Sequence, residues 1–257
     1  MAQQRRRLDA EMVRRGLIQS RSAAQEAIAS GRVRVAGAIA DKASRLVSPG
    51  ESLAVDGPPS RFVGRGGEKL LAALEYWPFL VDHITGCRAV DCGSSTGGFT
   101  DCLLQHGAAS VLAVDVGRGQ LHQRLMGDRR VISMERTDIR KLDSRQLGGL
   151  FDMLVADLSF ISLTSVASAL VQLCDTGAPM VLLVKPQFEV GRQIASEGRG
   201  VITNDIDRQM ALEKVRTAFE ELGCDTIGAM ECPVHGADGN REYLLLLRAP
   251  LADGRAE

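Results

Sequence analysis

Short apolar segments recur along most of the chain, and segments with helical spacing lie between them. The clearest are Val111–Asp115, Phe151–Asp157 and Met180–Lys185, each of which ends in a charged residue, and Val131–Met134 and Tyr243–Leu247 add two more. Strands that are apolar on both faces and alternate with helices are typical of a parallel sheet covered by helices on both sides. The sequence therefore predicts an α/β fold with a mostly parallel, doubly wound sheet.

The first 57 residues follow a different pattern. Helical spacing over residues 7–17 is followed by a second helix that Ser20 can cap, and then by strand-like alternation at Val33–Val35 and Leu53–Val55. Gly57-Pro58-Pro59-Ser60 has the composition of a linker. We predict a small α+β domain over residues 1–57, a linker over 58–64, an α/β domain over 65–250 and a tail over 251–257.

The charge is unevenly distributed between these parts. Residues 1–50 contain ten Lys and Arg but only four Asp and Glu, whereas the whole chain has a net charge of −1. A basic module attached to an acidic body is typical of nucleic-acid-binding proteins, although a solvated basic face would look the same. The candidate RNA contacts are Arg6, Arg7, Arg14, Arg21, Arg32 and Arg34.

Several protein classes are disfavoured by what the sequence lacks. The longest apolar runs are strand-sized, far below the ~18 residues of a membrane helix, and the basic start is not followed by the apolar stretch of a secretory signal. We therefore expect a cytoplasmic protein without a membrane partner. The six cysteines form no C-x-x-C pair and the four histidines are scattered, so we expect reduced thiols and no metal site.

A glycine-rich turn follows the first strand of the α/β domain. It reads Asp91-Cys92-Gly93-Ser94-Ser95-Thr96-Gly97-Gly98-Phe99, and Asp115 ends the next strand. An acid about 20 residues after such a turn commonly binds ribose hydroxyls. Because the glycine spacing is not G-x-G-x-x-G, we expect a nucleoside with an amino-acid tail here rather than a pyrophosphate. The alternative is a helix-start turn without a ligand.

Charged residues stand at the ends of other strands. Asp157 and Lys185 each follow an apolar strand, and Glu242 precedes Tyr243–Leu247. Ligands of doubly wound folds bind at the carboxyl ends of the strands, where a lysine would be partly desolvated. Any one of these residues could simply end its strand in solvent, but together they favour a catalytic site.

These motifs resemble those of the FtsJ-like methyltransferases, which use a Lys-Asp-Lys-Glu tetrad for ribose 2′-O-methylation. The stretches that carry the resemblance are Arg65–Leu70, Asp157–Ser162, Val184–Glu189 and Asn240–Tyr243, and they supply Lys69, Asp157, Lys185 and Glu242. The first domain resembles the αL-type RNA-binding domain of a small-subunit ribosomal protein, through Arg7-Leu8-Asp9, Ser20-Arg21 and Val33-Arg34-Val35. Both halves in this order resemble the TlyA (hemolysin A-like) family of rRNA cytidine-2′-O-methyltransferases, over about residues 5–248.

The resemblance implies a Rossmann-like methyltransferase that uses S-adenosylmethionine and acts on ribosomal RNA. The implied cofactor-binding residues are Asp91, Gly93, Ser94, Ser95, Thr96, Gly97, Gly98, Phe99, Asp115 and Asp138. Asp138 would meet the adenine amino group, unless it only forms a turn. Lys185 would be the base or orienting group, held by Asp157, with Lys69 and Glu242 positioning the hydroxyl; which lysine accepts the proton stays open.

Three other functions stay open from the sequence. The chain could be a non-catalytic ribosome-binding or assembly protein, which an intact tetrad disfavours. It could methylate a base instead of a ribose. It could also be a membrane-lytic protein, which is disfavoured because the amphipathic segment Leu8–Leu17 is short and charged.

Overall fold

The computed structural model describes residues 5–18, 20–57, 61–191, 200–236 and 239–251. The chain divides into two compact units, residues 1–65 and 66–257. Residues 58–60 of the predicted linker and residues 252–257 of the predicted tail lie outside the described residues.

The first unit packs two helices on short strands. The helices are α1 (Leu8–Arg14) and α2 (Arg21–Ala29), and the strands are β1 (Arg6–Arg7), β2 (Val33–Val35), β3 (Ala38–Ile39), β4 (Leu46–Val47) and β5 (Leu53–Val55). β1 pairs with β4, and β2 lies between β3 and β5, all antiparallel. Apolar residues at helical and strand spacing, among them Leu8, Met12 and Val33, form its core. The predicted α+β domain is thus confirmed, with a first helix shorter than the 7–17 pattern.

The second unit contains seven helices and seven strands within the described residues. The helices are α3 (Gly66–Tyr76), α4 (Leu80–Ile84), α5 (Gly98–Gln105), α6 (Gln123–Met126), α7 (Ala167–Leu173), α8 (Pro186–Glu189) and α9 (Asp205–Glu220). The strands are β6 (Arg88–Cys92), β7 (Ser110–Val114), β8 (Val131–Met134), β9 (Met153–Ala156), β10 (Pro179–Val184), β11 (Asp225–Glu231) and β12 (Tyr243–Arg248). Two 3₁₀ turns, Ile139–Lys141 and Leu163–Ser165, follow β8 and β9.

All seven strands form one sheet in the order β11-β12-β10-β9-β6-β7-β8. The five strands from β10 to β8 are parallel, and β12 runs antiparallel to both of its neighbours. Strands β6, β7, β9 and β10 are almost wholly buried, because helices cover both faces, whereas the edge strand β8 is partly exposed. The mostly parallel, Rossmann-like sheet predicted from the sequence is confirmed.

The strand order reverses between β6 and β9. The chain runs from β6 outward through β7 to β8, then returns to β9 on the other side of β6 and continues to β10. In open α/β sheets a ligand crevice forms outside the carboxyl ends of the strands at such a switch point. The glycine turn after β6 and Asp157 after β9 therefore face the same crevice.

No helix within the described ranges is long and apolar enough to cross a membrane.

Candidate active site

The glycine turn after β6 lies directly against the end of β9. The Asp157 amide donates to the Cys92 carbonyl at 3.0 Å. Gly93 has φ of +84°, and a Cβ at this position would lie 2.5 Å from the Asp157 carbonyl oxygen. Only glycine combines this φ with so close an approach. The turn and the Asp157 loop thus form one surface.

Asp115, after β7, holds the other side of the turn. Its two carboxylate oxygens accept hydrogen bonds from the Ser95 amide at 2.8 Å and the Gly117 amide at 2.7 Å. Ser95 has φ of +46°, an uncommon conformation for a non-glycine residue, and the hydrogen bond that its amide donates to Asp115 stabilises it. The Asp115 carboxylate therefore orders the turn while it remains at the crevice.

A cavity of about 330 Å³ occupies the crevice. Gly93, Ser95, Asp115 and Asp157 line its polar side. The remaining lining residues come from the segments after β7, β8 and β9: Val114, Val116, Gln120, Thr137, Ile139, Leu158, Ser159, Phe160 and Ile161. An apolar pocket of this size with a few converging polar groups is typical of a small-molecule site.

Asp91, in β6, is fully buried behind the turn. Its Oδ2 accepts from the amide and the hydroxyl of Thr100, at 2.9 and 2.6 Å, whereas Oδ1 finds no hydrogen-bond donor among the described residues. Burial raises the pKa of the Asp91 carboxyl to about 7, and the nearby carboxylates of Asp157 and Asp115 also raise it. A buried carboxylate oxygen without a donor is uncommon in a native structure.

Lys185 and Asp157 form the first lysine–carboxylate pair, at the ends of β10 and β9. Lys185 Nζ lies 2.5 Å from Asp157 Oδ1 and donates to Ser159 Oγ at 2.8 Å. The lysine is only 8% exposed, so its ammonium group is held by these partners rather than by water. The pair lies at the cavity, because Asp157 and Ser159 both line it.

Lys69 and Glu242 form the second pair. Lys69 Nζ, on α3, lies 2.5 Å from Glu242 Oε2, and both side chains are buried. Glu242 directly precedes Tyr243, which pairs with Val184, so Glu242 and Lys185 occupy neighbouring ends of β12 and β10. The structure thus brings all four predicted tetrad residues to the carboxyl end of the parallel strands.

Two aromatic rings stand beside the first pair. The Phe160 ring is tilted against the Phe188 ring at a centroid distance of 5.3 Å, and Lys185 Nζ lies 5.9 Å from the Phe188 centroid. Phe160 has φ of +63° and is 92% exposed, which is unusual for a large apolar side chain. Its exposed ring offers a flat surface on which a planar group can stack.

Some residues predicted for the cofactor site do not line the cavity. Ser94 is buried, and Gly97, Gly98 and Phe99 form the start of α5, where a Cβ on Gly98 would lie 2.7 Å from the Gly67 nitrogen of α3. The Thr96 carbonyl accepts from the His122 amide. These positions shape the turn and its packing.

Asp138 is also turned away from the cavity lining. Its carboxylate pairs with Arg140 at 2.6 Å and caps the 3₁₀ turn that follows, while its neighbours Thr137 and Ile139 line the cavity. Its side chain thus has the turn-forming role that the sequence left open.

Sequence reasoning missed several residues around the site. Ser159, Phe160 and Ile161 lie in the motif that identified Asp157, but only Asp157 was selected from it. Cys232 was expected only as a reduced thiol. It is buried, and burial raises the pKa of its thiol. The charges of Lys69, Glu242 and Asp157 also act on that pKa, so the thiol lies near the tetrad. Gln120 carried no signal, because its contact with Ser95 Oγ depends on the loop after β7. Within the described residues no cluster of His, Cys, Asp or Glu could hold a metal ion.

The six predicted RNA-contacting arginines lie in the first unit in three settings. Arg7 and Arg21 both pair with the buried carboxylate of Asp9 at 3.0 Å, and Arg14 pairs with that of Glu11 at 2.6 Å. Arg32 and Arg34 are bonded to the Asp56–Gly57 segment. Arg6 is exposed, and its side chain makes no hydrogen bond within the described residues.

The chain matches two protein-family models and is similar to named proteins along nearly its whole length. Residues 62–249 match the FtsJ-like methyltransferase model and residues 6–53 match the S4 domain model. The 16S/23S rRNA (cytidine-2′-O)-methyltransferase TlyA of Mycobacterium tuberculosis is 46% identical over 95% of this chain and 90% of its own length. Hemolysin A of Brachyspira hyodysenteriae is 36% identical over 93% of this chain and 98% of its own.

A solved structure has the same architecture. It is a candidate hemolysin from Streptococcus thermophilus, which superimposes with a TM-score of 0.75 at 35% identity and covers 97% of this chain and 90% of its own. With a family model that spans most of the chain, relatives that match both units, and a lysine–carboxylate site at the carboxyl end of the sheet, the chain belongs to the FtsJ-like methyltransferase family.

Proposed function

We propose that the protein transfers a methyl group from S-adenosylmethionine to the ribose 2′-hydroxyl of a cytidine in ribosomal RNA. The observation that carries this proposal is the pair of buried lysine–carboxylate contacts, Lys185–Asp157 and Lys69–Glu242, beside the cavity at the switch point. The M. tuberculosis relative is named for this activity on 16S and 23S rRNA. Such an enzyme would work in the cytoplasm, where ribosomal RNA is found.

The residues at the cavity fit the cofactor. Asp115 is placed to accept hydrogen bonds from ribose hydroxyls, and the apolar side chains of Ile139 and Ile161 suit an adenine ring. The donor-free Oδ1 of Asp91 suits the ammonium group of the methionine part. We assign the backbone of Gly93–Gly98 to the methionine part as well, since it starts helix α5. When bound, the cofactor supplies a methyl group on a sulfonium, which is a strong electrophile.

The tetrad would align and activate the ribose hydroxyl. Alignment alone can supply about 7 kcal/mol or more of the barrier. Lys185 Nζ is restrained by Asp157 and Ser159, so it can hold the hydroxyl oxygen in one position or take its proton. Lys69, whose charge is neutralised by Glu242, would complete the binding site for the ribose.

The exposed Phe160 ring gives the nucleotide a second point of attachment. A base that carries its ribose to Lys185 must leave its stack, and an aromatic ring beside the site compensates for the lost stacking. Stacking on one ring is tolerant of sequence, so the preference for cytidine would come from other contacts.

The first unit would anchor the RNA. We propose Arg6, Arg7, Arg14 and Arg21 as its main phosphate contacts, because their side chains are exposed and lie on or next to α1 and the start of α2. Arg32 and Arg34, whose guanidinium groups bond to the Asp56–Gly57 segment, would extend this phosphate-binding surface beside and along β2. The domain limits follow the same division, with residues 1–57 for RNA, 58–64 as linker and 65–250 for chemistry.

The decisive experiment supplies purified small and large ribosomal subunits with S-adenosylmethionine that carries a labelled methyl group. We expect the label in ribosomal RNA, and nuclease digestion followed by mass spectrometry should place it on a cytidine ribose. Label on a base would make the protein a base methyltransferase. No label on either subunit, with the cofactor bound, would favour a non-catalytic ribosome-binding protein. Dye leakage from protein-free liposomes would reveal the lytic activity that the hemolysin names suggest.

A further inference from the structure

Two fully buried carboxylates lie beneath the basic surface of the first unit. The Asp9 side chain is 0% exposed and that of Glu11 is 1% exposed, yet both residues are in α1, a helix of the most basic part of the chain. Buried carboxylates are rare unless they are paired, and acids on an RNA-binding unit oppose binding if only net charge matters. Their position therefore calls for a separate explanation.

Asp9 collects several donors from both helices. Arg7 donates to it through Nε and Nη2, each at 3.0 Å, and Arg21 Nη2 and Gln25 Nε2 each donate at 3.0 Å. The Ala10 amide donates at 2.8 Å. Two arginines that are 14 positions apart in sequence thus converge on one carboxylate, with their side chains still 46% and 58% exposed.

Glu11, two residues after Asp9 in α1, also accepts hydrogen bonds from two arginines. Arg14 donates to it through Nε at 2.8 Å and Nη2 at 2.6 Å, and Arg15 Nε donates at 2.8 Å. Arg14 remains 53% exposed, whereas Arg15 is drawn inward and also bonds to the carbonyls of Ser48, Pro49 and Glu51. Glu11 therefore orients one exposed arginine and one structural arginine.

Both carboxylates stay charged at every pH at which ribosomes are intact. Hydrogen bonds from Arg7 hold the pKa of Asp9 well below its ordinary value, and those from Arg14 lower the pKa of Glu11 to about 2. The arrangement is therefore permanent. Long arginine side chains lose rotational freedom when they bind, and holding them in place beforehand removes part of that loss.

We propose that Asp9 and Glu11 are positioning residues that hold Arg7, Arg21 and Arg14 as a preformed receptor for the phosphates of folded RNA. This inference rests on the proposed function, since it requires that the first unit holds RNA. It reverses the expectation from net charge, because removing either negative charge should weaken RNA binding.

The test compares two substitutions that change the net charge equally. Asp9→Asn keeps the Oδ1 acceptor for Arg7 Nε but puts an NH₂ group where Oδ2 accepts, so Arg21, Gln25 and the Nη2 of Arg7 lose their acceptor. Asp41→Asn is the matched control, because Asp41 is exposed and makes no ion pair within the described part of the chain. Binding of the full-length protein to refolded ribosomal RNA is measured at a fixed salt concentration.

We expect Asp9→Asn to weaken RNA binding by about tenfold, which corresponds to roughly one charged hydrogen bond, while Asp41→Asn leaves it unchanged or strengthens it. Glu11→Gln should weaken binding in the same direction through Arg14. Equal or tighter binding by folded Asp9→Asn and Glu11→Gln proteins would overturn the proposal. If the wild-type protein itself does not bind ribosomal RNA, the proposed function fails as well.

A double substitution separates positioning from a general loss of structure. If Asp9 acts through Arg21, then Asp9→Asn should have a smaller effect on RNA binding in an Arg21→Ala protein than in the wild type. If Asp9 only stabilises the fold, its substitution should lower binding by the same factor in both backgrounds, and the proposal would be wrong. Circular dichroism melting of each variant shows whether the protein as a whole is folded. Unchanged S-adenosylmethionine binding shows that the second unit is intact.

Discussion

The Glu189 carboxylate accepts a hydrogen bond from the Ser162 hydroxyl at 2.5 Å, across the gap between the segments that follow β10 and β9. The Leu163 amide donates to the same carboxylate at 2.7 Å. The loop after β9 begins at Asp157, and Lys185 contacts this residue. Glu189 holds the other end of the same loop, and it follows Lys185 by only four residues. One short turn therefore fastens both ends of the loop that lines the cavity.

Removing the Glu189 contacts should lower kcat strongly and the free energy of unfolding only slightly. In a Glu189→Leu protein the loop should lose its fixed position, and a displacement of about 1 Å near the chemistry can lower kcat by up to about 100-fold. Glu189→Gln should retain most activity, because its oxygen can still accept from Leu163 while the Ser162 hydroxyl reverses to accept from the amide group. Single-turnover methyl transfer measures both.

Asp152→Ala provides the control for Glu189, since Asp152 caps β6 at the opposite end of the sheet through the Arg88 amide. Its kcat should equal that of the wild type. Equal rates for Glu189→Leu and the wild type would show that the loop needs no second attachment.

Lys185→Ala should abolish methyl transfer while cofactor binding persists. A positioned acid or base typically contributes 10²- to 10⁴-fold to the rate, so we expect a loss of about that size. The free energy of unfolding should also fall, because the mostly buried Asp157 carboxylate loses its lysine partner, so a melting transition must first show that the variant is folded. Lys141→Ala, in which an exposed lysine of the same unit is removed, should keep the wild-type kcat. Near wild-type transfer of the labelled methyl group to the ribosomal subunit by Lys185→Ala would remove this lysine from the mechanism.

Asp115→Ala should weaken S-adenosylmethionine binding in calorimetry. A hydrogen bond to a charged group contributes about 1.5–3 kcal/mol, which is roughly a 10- to 100-fold change in Kd. Part of the loss would come from the turn, since Asp115 also holds the Ser95 amide. Asp115→Asn keeps one acceptor oxygen, so its Kd for S-adenosylmethionine should lie between those of the wild type and Asp115→Ala. An unchanged Kd in a folded Asp115→Ala protein would place the ribose elsewhere.

Asp91 should make stability depend on pH in the cofactor-free protein. Because burial raises its pKa to about 7, the neutral carboxyl is favoured in the folded state, and the stability that this provides is lost as the pH rises from about 4 to about 7. Relative to Asp91→Asn, the wild-type free energy of unfolding should therefore decline over that range and then level off.

Cofactor binding should show the opposite pH trend. The charged form of Asp91 is the one that pairs with an ammonium group, so wild-type affinity should rise up to about pH 7 and Asp91→Asn should lack this rise. Denaturant unfolding and calorimetry at several pH values measure the two effects. Identical pH profiles for the two proteins would mean that Asp91 titrates as an ordinary surface acid.

A chain that begins at Arg61 should bind S-adenosylmethionine but not methylate ribosomal RNA. The part after residue 50 carries the acidic excess of the chain, so it should repel phosphate at long range. For the full-length protein, the logarithm of RNA affinity should fall by about 0.7–0.9 per tenfold rise in salt for each phosphate contacted. If the shortened chain methylates ribosomal RNA as fast as the full chain at physiological salt, the first unit is not the RNA anchor.

The strands and the strand-end residues Asp157, Lys185 and Glu242 could be predicted because their signals are local, whereas Lys69 came only from the family resemblance. Four apolar residues before Lys185, or three before Asp157, mark a buried strand and the position of its end without any tertiary information. Strand β11 gave no such signal: its residues alternate between exposed and half-buried at the sheet edge, and its Gly228 sits at an irregularity in the pairing with β12. Edge strands bury too little apolar surface to show a clear pattern.

The side-chain directions within the site depend on long-range contacts. Asp138 was expected at the cofactor, but Arg140, two residues later, attracts its carboxylate, and competition of this kind is not visible in a motif. The sequence reasoning used Asp9 as part of the Arg7-Leu8-Asp9 resemblance and Glu11 only as a charge, because the burial of both depends on the packing of α1. Phe160 has a left-handed backbone conformation, which no local pattern in the sequence indicated.

The antiparallel direction of β12 has a consequence for the timing of activity during synthesis. Because β12 runs against β10, the residue that precedes it, Glu242, reaches the end of the sheet at which the parallel strands finish. A growing chain that has passed β10 already contains the glycine turn, Asp157 and Lys185, but its Lys69 still lacks a counter-charge. The ribosome must therefore synthesise β12 before the four residues can come together, and a polypeptide that ends before Glu242 retains Asp157 and Lys185 but lacks the Lys69–Glu242 pair.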